Sequence, residues 1–232
     1  MKRWILVGTL LLLALSSPTP AARLFVGSQA NNLISWPVPW VATCTECVWV
    51  KPTSNVGSTP AVTCFWNASA VYDQCITLSA TPKAVAYTYD TGQKFATGTT
   101  TLSNGTWYFL CARFASGSSM EIFVNGTQEA TTAIGTPYTV TSSVFHVSGT
   151  SLSSTWLDAT VANVMVWNVA LTANEIKMAM TGRSVRPSAL ILAAPLWATS
   201  TTEADLSGLK YNGTVTGTSL ADHAPVGPYV LR

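Results

Sequence analysis

The stretch Trp107–Gly126, with the sequence WYFLCARFASGSSMEIFVNG, decides the fold of this chain. Apolar side chains run through Tyr108–Phe114 and resume at Met120–Val124, and the polar segment Ala115–Ser119 separates them. Asn125-Gly126 then closes the second run with the dipeptide that best tolerates positive φ at two successive positions. The stretch therefore predicts two antiparallel strands joined by a short turn.

The composition of the whole chain is typical of an all-β protein. Only 9% of the 232 residues are charged, against about 25% in ordinary globular proteins. Thr, Val, Trp and other β-branched or aromatic residues are abundant, and they suit pleated, half-buried strands. Asn-Gly dipeptides at 104–105, 125–126 and 212–213 punctuate the apolar runs. We expect one all-β domain that is large enough for a full two-sheet core.

Residues 1–22 have the pattern of a secretory signal peptide. Two basic residues precede the apolar run Trp4–Leu15, and small residues follow it in Ser16–Ala22. The run is shorter than the roughly 20 residues of a membrane-spanning helix, so an uncleaved anchor is the weaker alternative. We expect a signal peptide at 1–22, a domain at 23–232, and a location that is secreted or on the exterior of the cell envelope. No membrane span is expected after cleavage.

The charge balance of the expected mature chain argues against two classes of partner. Removal of Lys2 and Arg3 from the 12 basic residues leaves 10, which face 10 acidic residues. No run of Lys and Arg is present to neutralise phosphates. We therefore expect no nucleic-acid partner and no electrostatic attachment to a membrane surface.

Five cysteines are present in a chain whose expected compartment permits disulfides. Cys44 and Cys47 lie three apart in a strand pattern, so their side chains should point to opposite faces and not pair with each other. Cys64 and Cys75 flank a predicted turn at 67–69 and are expected to face each other across a hairpin. The alternative, that cysteines serve as small buried apolar residues, applies above all to Cys44.

The remaining apolar runs predict strands at intervals typical of a sandwich, not of alternating β-α units. These predicted strands are Leu24–Val26, Cys44–Lys51, Ala61–Trp66, Cys75–Ser79, Ala84–Tyr89, Gly92–Ala96, Tyr138–Thr141, Val144–Val147, Thr160–Trp167, Leu190–Trp197 and Thr214–Val215. One short helix is also predicted. Thr172 is a good N-cap, Glu175 stands at the capping-box position, and Gly182 ends the helix.

Three segments, in this order, resemble one family. Cys47–Pro52 resembles the early strand of laminin G-like, or concanavalin A-like, jelly rolls. Trp107–Gly126 resembles their W-h-h…Y-V-N-G hairpin, and Leu157–Ile176 resembles their closing strand and short helix. The resemblance covers Leu24–Gly182. It implies an all-β, two-sheet antiparallel jelly-roll sandwich with one short helix near the C-terminal third.

Pentraxins are the most similar members of this set in detail. They carry one disulfide between the early strand and the strand four residues past the Trp, and Cys47 and Cys111 occupy those two places. The resemblance therefore implies a Cys47–Cys111 disulfide. The segment Glu203–Val226 resembles the C-terminal extension of many bacterial and phage members, which implies a return to the sandwich beside the first strand.

The same fold includes glucanases, and this chain departs from their pattern. Those enzymes place carboxylates spaced E-x-D-x-E on one strand as nucleophile and acid/base. No such spacing occurs here. Glu121 and Glu129 are expected at a turn, and Glu203 and Asp205 are expected in a polar tail. Neither histidine lies in a nucleophile motif. We therefore expect no enzyme, and a glycoside hydrolase is the third alternative.

Calcium is the one cofactor that the resemblance raises. Pentraxins hold it with an Asp-Asn pair and a later acidic loop, but the loop here, Thr141–Thr155, contains no Asp or Glu. Some laminin G-like domains use one or two Asp with backbone carbonyls. Asp73, Asp90 and Asp158 are the candidates for such a site, and each also suits a turn or the surface. No cofactor is required by the sequence.

Aromatic side chains are the candidates for sugar binding, because the apolar faces of sugars stack on exposed rings. Trp49, Trp107 and Trp167 match family positions and are expected to pack in the core. Trp36 and Trp40 are expected to be more exposed. The candidate ligand-binding residues are Trp66, Tyr72, Asp73, Tyr89 and Trp156, with Tyr87 as a further possibility.

Together these features predict a non-catalytic exported module that binds a carbohydrate or another cell-surface ligand. The alternative is a structural or adhesive component of a surface or a virion, whose jelly roll only packs against partners.

Overall fold

A computed structural model of the protein describes residues 21–27, 32–54, 59–66, 72–138, 144–148 and 156–226, without the side chains of Ala21, Tyr72 and Asp73. The strands are β1 (Ala21–Phe25), β2 (Leu33–Trp36), β3 (Cys44–Pro52), β4 (Ala61–Trp66), β5 (Tyr72–Leu78), β6 (Ala84–Tyr89), β7 (Gln93–Thr97), β8 (Tyr108–Ala115), β9 (Ser119–Val124), β10 (Thr127–Ala133), β11 (Val144–Val147), β12 (Ala159–Trp167), β13 (Leu190–Ala194), β14 (Thr202–Glu203), β15 (Gly213–Thr216) and β16 (Ser219–Asp222). A helix, α1 (Ala173–Met180), and a 3₁₀ turn at Pro187–Ala189 lie between β12 and β13.

The strands form two antiparallel sheets of eight strands each, which pack as a sandwich. Sheet A has the order β10-β9-β8-β3-β12-β1-β16, and β13 also pairs with β12. Sheet B has the order β14-β15-β2-β11-β4-β5-β6-β7. This architecture confirms the predicted jelly-roll sandwich with one helix.

The facing sides of the two sheets enclose the main hydrophobic core. In β3, Val48 and Val50 point into this core, whereas Cys47 and Trp49 belong to a second apolar cluster on the outer side of sheet A. Both sides of β3 are therefore buried. This explains why β3 reads as a continuous apolar run and not as a simple alternation.

The outer face of sheet A is covered by α1 and by the segment that follows it. Ile176 and Ala179 form the buried side of α1 and join the cluster that contains Trp167 and Val185. The indole N–H of Trp167 donates to the carbonyl of Val185 at 2.8 Å. The helix and the segment after it thus cover the outer face of sheet A with residues of the same chain.

The sequence signals at the two ends of α1 are confirmed. The Thr172 hydroxyl accepts from the backbone N–H of Glu175 at 3.3 Å, and the Glu175 carboxylate accepts from the backbone N–H of Thr172 at 2.7 Å. This is the predicted capping box. Gly182 follows the helix with a φ of 74°, a backbone conformation that favours glycine.

The C-terminal segment returns to both sheets. β16 pairs with β1, as the resemblance implied, and β15 also pairs with β2. At this edge of the sandwich, Arg23 of β1 reaches Glu203 of β14 at 3.4 Å, and both side chains are buried. The ion pair joins β1, the strand next to the edge strand of sheet A, to β14, an edge strand of sheet B.

Four polar side chains lie in the otherwise apolar core between the sheets. The Thr63 hydroxyl donates to Glu46 Oε2 at 2.8 Å, and the Cys44 thiol donates to Gln74 Oε1 at 3.4 Å. Glu46 Oε1 has no hydrogen-bond partner among the described residues. Burial raises the pKa of Glu46 from its ordinary value of 4.5 to about 8, with the Thr63 hydrogen bond opposing this shift. The carboxyl group is therefore mostly protonated at neutral pH.

Most predicted strands are confirmed, but β2, β10, β14 and β16 were not predicted from the sequence. The expected exposure of Trp36 is wrong. Residues 32–39 alternate between buried and more exposed positions, and this places Trp36 and Val38 in the core. Gly213 makes room for the Trp36 ring, because a Cβ at this position would overlap it. Trp40 is half-buried and packs against the core.

The predicted strand at Tyr138–Thr141 is not seen at Tyr138, which lies in a loop, and residues 139–141 lie outside the described part of the chain. The same holds for the predicted turn at 67–69 and for residues 1–20. β1 begins at Ala21, two residues before the expected domain boundary. Among the described residues, no helix is both long and apolar enough to span a membrane.

Candidate ligand-binding face

A row of side chains crosses the outer face of sheet B at right angles to its strands. Each member lies directly opposite the next across a strand pair. From β15 to β7 the row consists of Thr214, Ser35, His146, Cys64, Cys75, Tyr87 and Phe95. Because side chains of directly opposed residues point to the same face, the row forms one continuous stripe.

The two predicted disulfides are confirmed, and they lie on opposite sides of the sandwich. Cys64–Cys75 joins β4 to β5 in the middle of the stripe on sheet B. Cys47–Cys111 joins β3 to β8 on the outer face of sheet A. Cys44 is a free, buried thiol in the core, and burial, followed by the nearby Glu46 carboxyl, raises its pKa.

Aromatic rings are concentrated around this stripe, on β4, β6, β7, β11 and the loop after β10. They form three pairs. Trp66 and His146 have ring centroids 5.4 Å apart, Tyr87 and Phe95 5.2 Å, and Tyr89 and Tyr138 5.8 Å. We call these six residues the aromatic patch: Trp66, Tyr87, Tyr89, Phe95, Tyr138 and His146.

The aromatic patch has a buried interior and an exposed margin. Tyr87 and His146 are only 4% and 6% exposed. In contrast, Phe95 is 51% and Tyr138 58% exposed, the two largest values among the aromatic residues that are counted as exposed in the described part of the chain. Tyr89 is half-buried between them. The exposed margin therefore offers three rings to a ligand, backed by a packed layer of aromatic and disulfide groups.

The polar groups beside the exposed margin carry little net charge. Gln93 is exposed and lies opposite Tyr89 across the β6–β7 pair. Lys94 is opposite Thr88 in the same strand pair, so it projects from the other face of β7, where it lies 3.9 Å from Asp90. A margin of this kind suits an uncharged ligand that combines apolar faces with hydroxyl groups.

Two of the predicted ligand-binding residues, Trp66 and Tyr89, belong to the aromatic patch. Tyr72 and Asp73 lie in β5, with side chains outside the described part of the chain. Trp156 lies away from Trp66. Trp66 is opposite Val144 at the start of β11, whereas Leu157 binds Ser148, just past the end of β11. The two tryptophans therefore lie near opposite ends of β11.

Two of the three candidate metal ligands, Asp90 and Asp158, accept hydrogen bonds from other parts of the chain. Asp90 accepts from the backbone N–H of Gly135 at 2.7 Å, and Asp158 accepts from the Ser54 hydroxyl at 2.5 Å. In the part of the chain that the structure describes, no three His, Cys, Asp or Glu side chains are grouped to hold a metal ion. The side chain of Asp73 lies outside that part, so calcium at Asp73, Asp90 or Asp158 stays a prediction.

The predicted environments of all four carboxylates are wrong, since Glu129 also lies within a strand, β10, and not at a turn. Glu121 is buried in β9, not at a turn, because Arg113 on β8 lies opposite and binds it at 2.8 Å. Glu203 and Asp205 are buried, not in a polar tail. Glu203 binds Arg23, and Asp205 accepts from several backbone N–H groups of the return segment.

The fourth carboxylate of this set, Glu129, also has a structural role. It lies next to the bulge in β10 and accepts from the backbone N–H groups of Thr99 and Thr100 at 2.8 and 3.0 Å. These four carboxylates therefore hold strands and loops together. The side chains that remain available to a ligand in the described part of this face are aromatic.

Sequence reasoning missed most of the exposed margin. Phe95 was not a candidate. Tyr87 and Tyr89 are two residues apart and so lie on one face of β6, and Phe95 lies opposite Tyr87 on the next strand, on the same face. Tyr138 was interpreted as a strand residue. Its position depends on the path of a loop, for which the sequence contains no periodic signal.

Known proteins support the fold at the level of family and architecture. Residues 27–177 match the family model Laminin_G_3, described as the concanavalin A-like lectin/glucanases superfamily. A heptameric SAP-like pentraxin from Limulus polyphemus is similar in structure, with a TM-score of 0.66 and 13% sequence identity. The similarity covers 89% of this chain and 97% of the pentraxin. No curated protein matches this chain in sequence.

Two further structures share the fold. A "putative carbohydrate binding protein" from Bacteroides ovatus has a TM-score of 0.65 and 18% identity, over 91% of this chain and 63% of that chain. This chain thus spans less than two thirds of the Bacteroides protein. Domain 4 of AbnA, a GH43 extracellular arabinanase from Geobacillus stearothermophilus, was solved with arabinotriose; it has a TM-score of 0.50 and 14% identity, over 67% of this chain and 74% of that chain. The family match and the two-sheet architecture agree, and the chain belongs to the concanavalin A-like lectin/glucanases superfamily.

Proposed function

We propose that this protein is an exported, non-catalytic module, secreted or held on the exterior of the cell envelope, that binds an uncharged carbohydrate through the aromatic patch. The observation that carries the proposal is the exposed margin formed by Tyr89, Phe95 and Tyr138. Half-exposed rings cost free energy in water, and a solvent-facing group of three suits the apolar faces of sugar rings.

Charge and compartment support the same proposal. Lys94 projects from the other face of β7 and is paired with Asp90, so an anionic sugar would find no unopposed cation among the described residues of the patch. Two disulfides favour an oxidising compartment. The arabinotriose bound to AbnA domain 4 is itself an uncharged oligosaccharide on the same fold.

The proposal is tested by direct binding measurements with a defined panel. Uncharged hexasaccharides of β-glucan, xylan, mannan and galactan are compared with heparin and sialylated hexasaccharides, by calorimetry with and without EDTA. We expect binding to at least one uncharged hexasaccharide, unaffected by EDTA, and none to the anionic sugars. Loss of binding in EDTA would instead assign the site to calcium and to the candidate Asp residues.

Phe95→Ala and Tyr138→Ala are the variants that locate the site. Trp197→Ala is the matched control, because Trp197 is another exposed aromatic residue, with 40% of its surface accessible. Its backbone N–H donates to Glu203 on β14, at the opposite edge of sheet B. We expect the first two to weaken binding and the control to leave it unchanged. Absence of binding to the whole panel, together with stable self-association, would favour the structural or adhesive alternative.

A further inference from the structure

A single buried carboxylate, Asp90, joins the β6–β7 turn to the segment after β10. Its Oδ2 accepts from the backbone N–H of Gly135 at 2.7 Å. Its Oδ1 accepts from the backbone N–H and, at 3.2 Å, from the hydroxyl of Thr91. The side chain is only 6% exposed. Both oxygens are thus used to hold backbone, one from each of two segments.

The segment that Asp90 holds is the one that presents Tyr138. Three residues after Gly135, the backbone N–H of Tyr138 donates to the carbonyl of Tyr89 at 3.2 Å, and the two rings meet edge to face. Tyr138 itself lies outside any strand and is 58% exposed. Gly135 and Tyr138 are therefore the two points at which this short segment is fastened to β6 and its turn.

We propose that Asp90 is a positioning residue of the ligand-binding face, which holds Tyr138 against Tyr89 before the sugar arrives. This inference rests on the proposed function of the aromatic patch. Asp90 is buried and does not touch the sugar. Its effect is to remove the cost of ordering the Tyr138 segment on binding.

The electrostatics of Asp90 agree with this role. The Gly135 hydrogen bond is the largest influence and holds the pKa of Asp90 below its ordinary value of 3.8; burial opposes it, and Thr91 and Lys94 support it. Lys94, at 3.9 Å, is the charged side chain that faces Asp90 in the described part of the chain. The carboxylate therefore remains ionised, and able to accept both backbone donors, throughout the neutral range.

Asp90→Asn tests the role with almost no change of shape. An amide presents one acceptor and one donor in place of two acceptors, so either Gly135 or Thr91 loses its bond. We expect the Gly135 amide to exchange its hydrogen up to about tenfold faster, as for the loss of one hydrogen bond. Gly135→Ala is the control. It keeps the N–H, and its Cβ would lie 3.4 Å from Asp90 Oδ2, an ordinary contact.

Binding of the four uncharged hexasaccharides then separates positioning from general stability. We expect Asp90→Asn to raise the Kd by about threefold to tenfold, and to have no further effect in a Tyr138→Ala background, because both changes remove the same ordered ring. Additive effects in this double-mutant cycle would overturn the proposal, and so would an unchanged Kd for Asp90→Asn.

The unmodified protein provides a test that does not depend on binding or on a variant. If Asp90 holds the segment, the Gly135 amide of the wild type exchanges as slowly as the strand amides of β10; rapid exchange at Gly135 would contradict the proposal. A protein that binds none of the panel but protects Gly135 would refute the proposed function and leave the Asp90 contact established.

Discussion

The outer faces of the two sheets differ in what covers them. On sheet A, the helix α1 and the segment after it bury an apolar layer that includes Trp167 and Ile176. On sheet B, the corresponding layer is aromatic, and its margin is open at Phe95 and Tyr138. Each face carries one cross-strand disulfide, Cys47–Cys111 on sheet A and Cys64–Cys75 on sheet B.

This difference indicates that the two outer faces have different roles, one in stability and the other in binding. Apolar residues on sheet A are satisfied within the molecule, so changes there should act on the free energy of unfolding. Exposed rings on sheet B contribute less to stability, and their contacts remain available for a ligand. Changes on the two faces should therefore separate stability from binding.

Among the substitutions, the largest expected effect is the loss of the disulfide on sheet A. The bond closes a sequence separation of 64 residues, against 11 for the bond on sheet B. On chain-entropy grounds, Cys47→Ala with Cys111→Ala should lower the free energy of unfolding by about 4 kcal/mol, and Cys64→Ala with Cys75→Ala by about 3 kcal/mol. Urea denaturation of both double variants checks the ranking, and a larger loss for the sheet B pair would contradict it.

The helix that covers sheet A should be important for stability only. Ile176→Ala removes a fully buried side chain and should lower the free energy of unfolding by about 3 kcal/mol. Met178→Ala is the control on the same helix, since Met178 is 39% exposed, and it should change stability by less than about 0.5 kcal/mol. Neither variant should alter carbohydrate binding at a temperature where it is folded. A higher Kd for folded Ile176→Ala would contradict the assignment of stability to one face and binding to the other.

Glu46, between the sheets, should make stability depend on pH. Its pKa is about 8 in the folded protein against an ordinary value of 4.5, so the folded state binds the proton more tightly than the unfolded state. The free energy of unfolding should therefore fall by about 1.4 kcal/mol per pH unit as the pH rises from 4.5 towards 8, and level off above it. Glu46→Gln should remove this slope. Equal slopes for both proteins in urea denaturation at several pH values would show that Glu46 does not titrate in this way.

The smallest effect on stability, with a clear effect on binding, is expected at the exposed margin of sheet B. Phe95→Ala should change the free energy of unfolding by less than about 1 kcal/mol but raise the Kd for an uncharged hexasaccharide by about tenfold, since one stacked ring is lost. Trp197→Ala should change neither quantity appreciably. Calorimetry on the wild type, Phe95→Ala and Trp197→Ala measures the three Kd values. Equal values for the two variants would place the site elsewhere.

The fold was predictable because its signals are local or periodic. The hairpin within Trp107–Gly126 turns between Ala115 and Ser119, and the Asn125-Gly126 turn that follows it, between β9 and β10, indeed has positive φ values of 49° and 77°. The capping box at Thr172 is equally local. In contrast, β10 (Thr127–Ala133) has mostly polar, partly exposed side chains and contains a bulge, so neither hydrophobicity nor alternation revealed it.

The candidate site was predictable only in part, because burial is a property of the whole fold. Trp66 and Tyr89 were candidates as aromatic residues near strand ends, and both lie in the aromatic patch. Trp36 was expected to be exposed, yet the return of Gly213 beside it closes the core there. The exposure of Tyr138 depends on Asp90 and on Tyr89, which are distant in sequence.

Hydrogen exchange with and without an uncharged hexasaccharide tests the central claim most directly, because it reports on both outer faces in one experiment. We predict slower exchange on binding in the β6–β7 region, 86–96, and in the segment 134–138, with α1 unchanged. Slower exchange in α1, or binding that leaves 86–96 and 134–138 unaltered, would contradict the assignment of the ligand to sheet B.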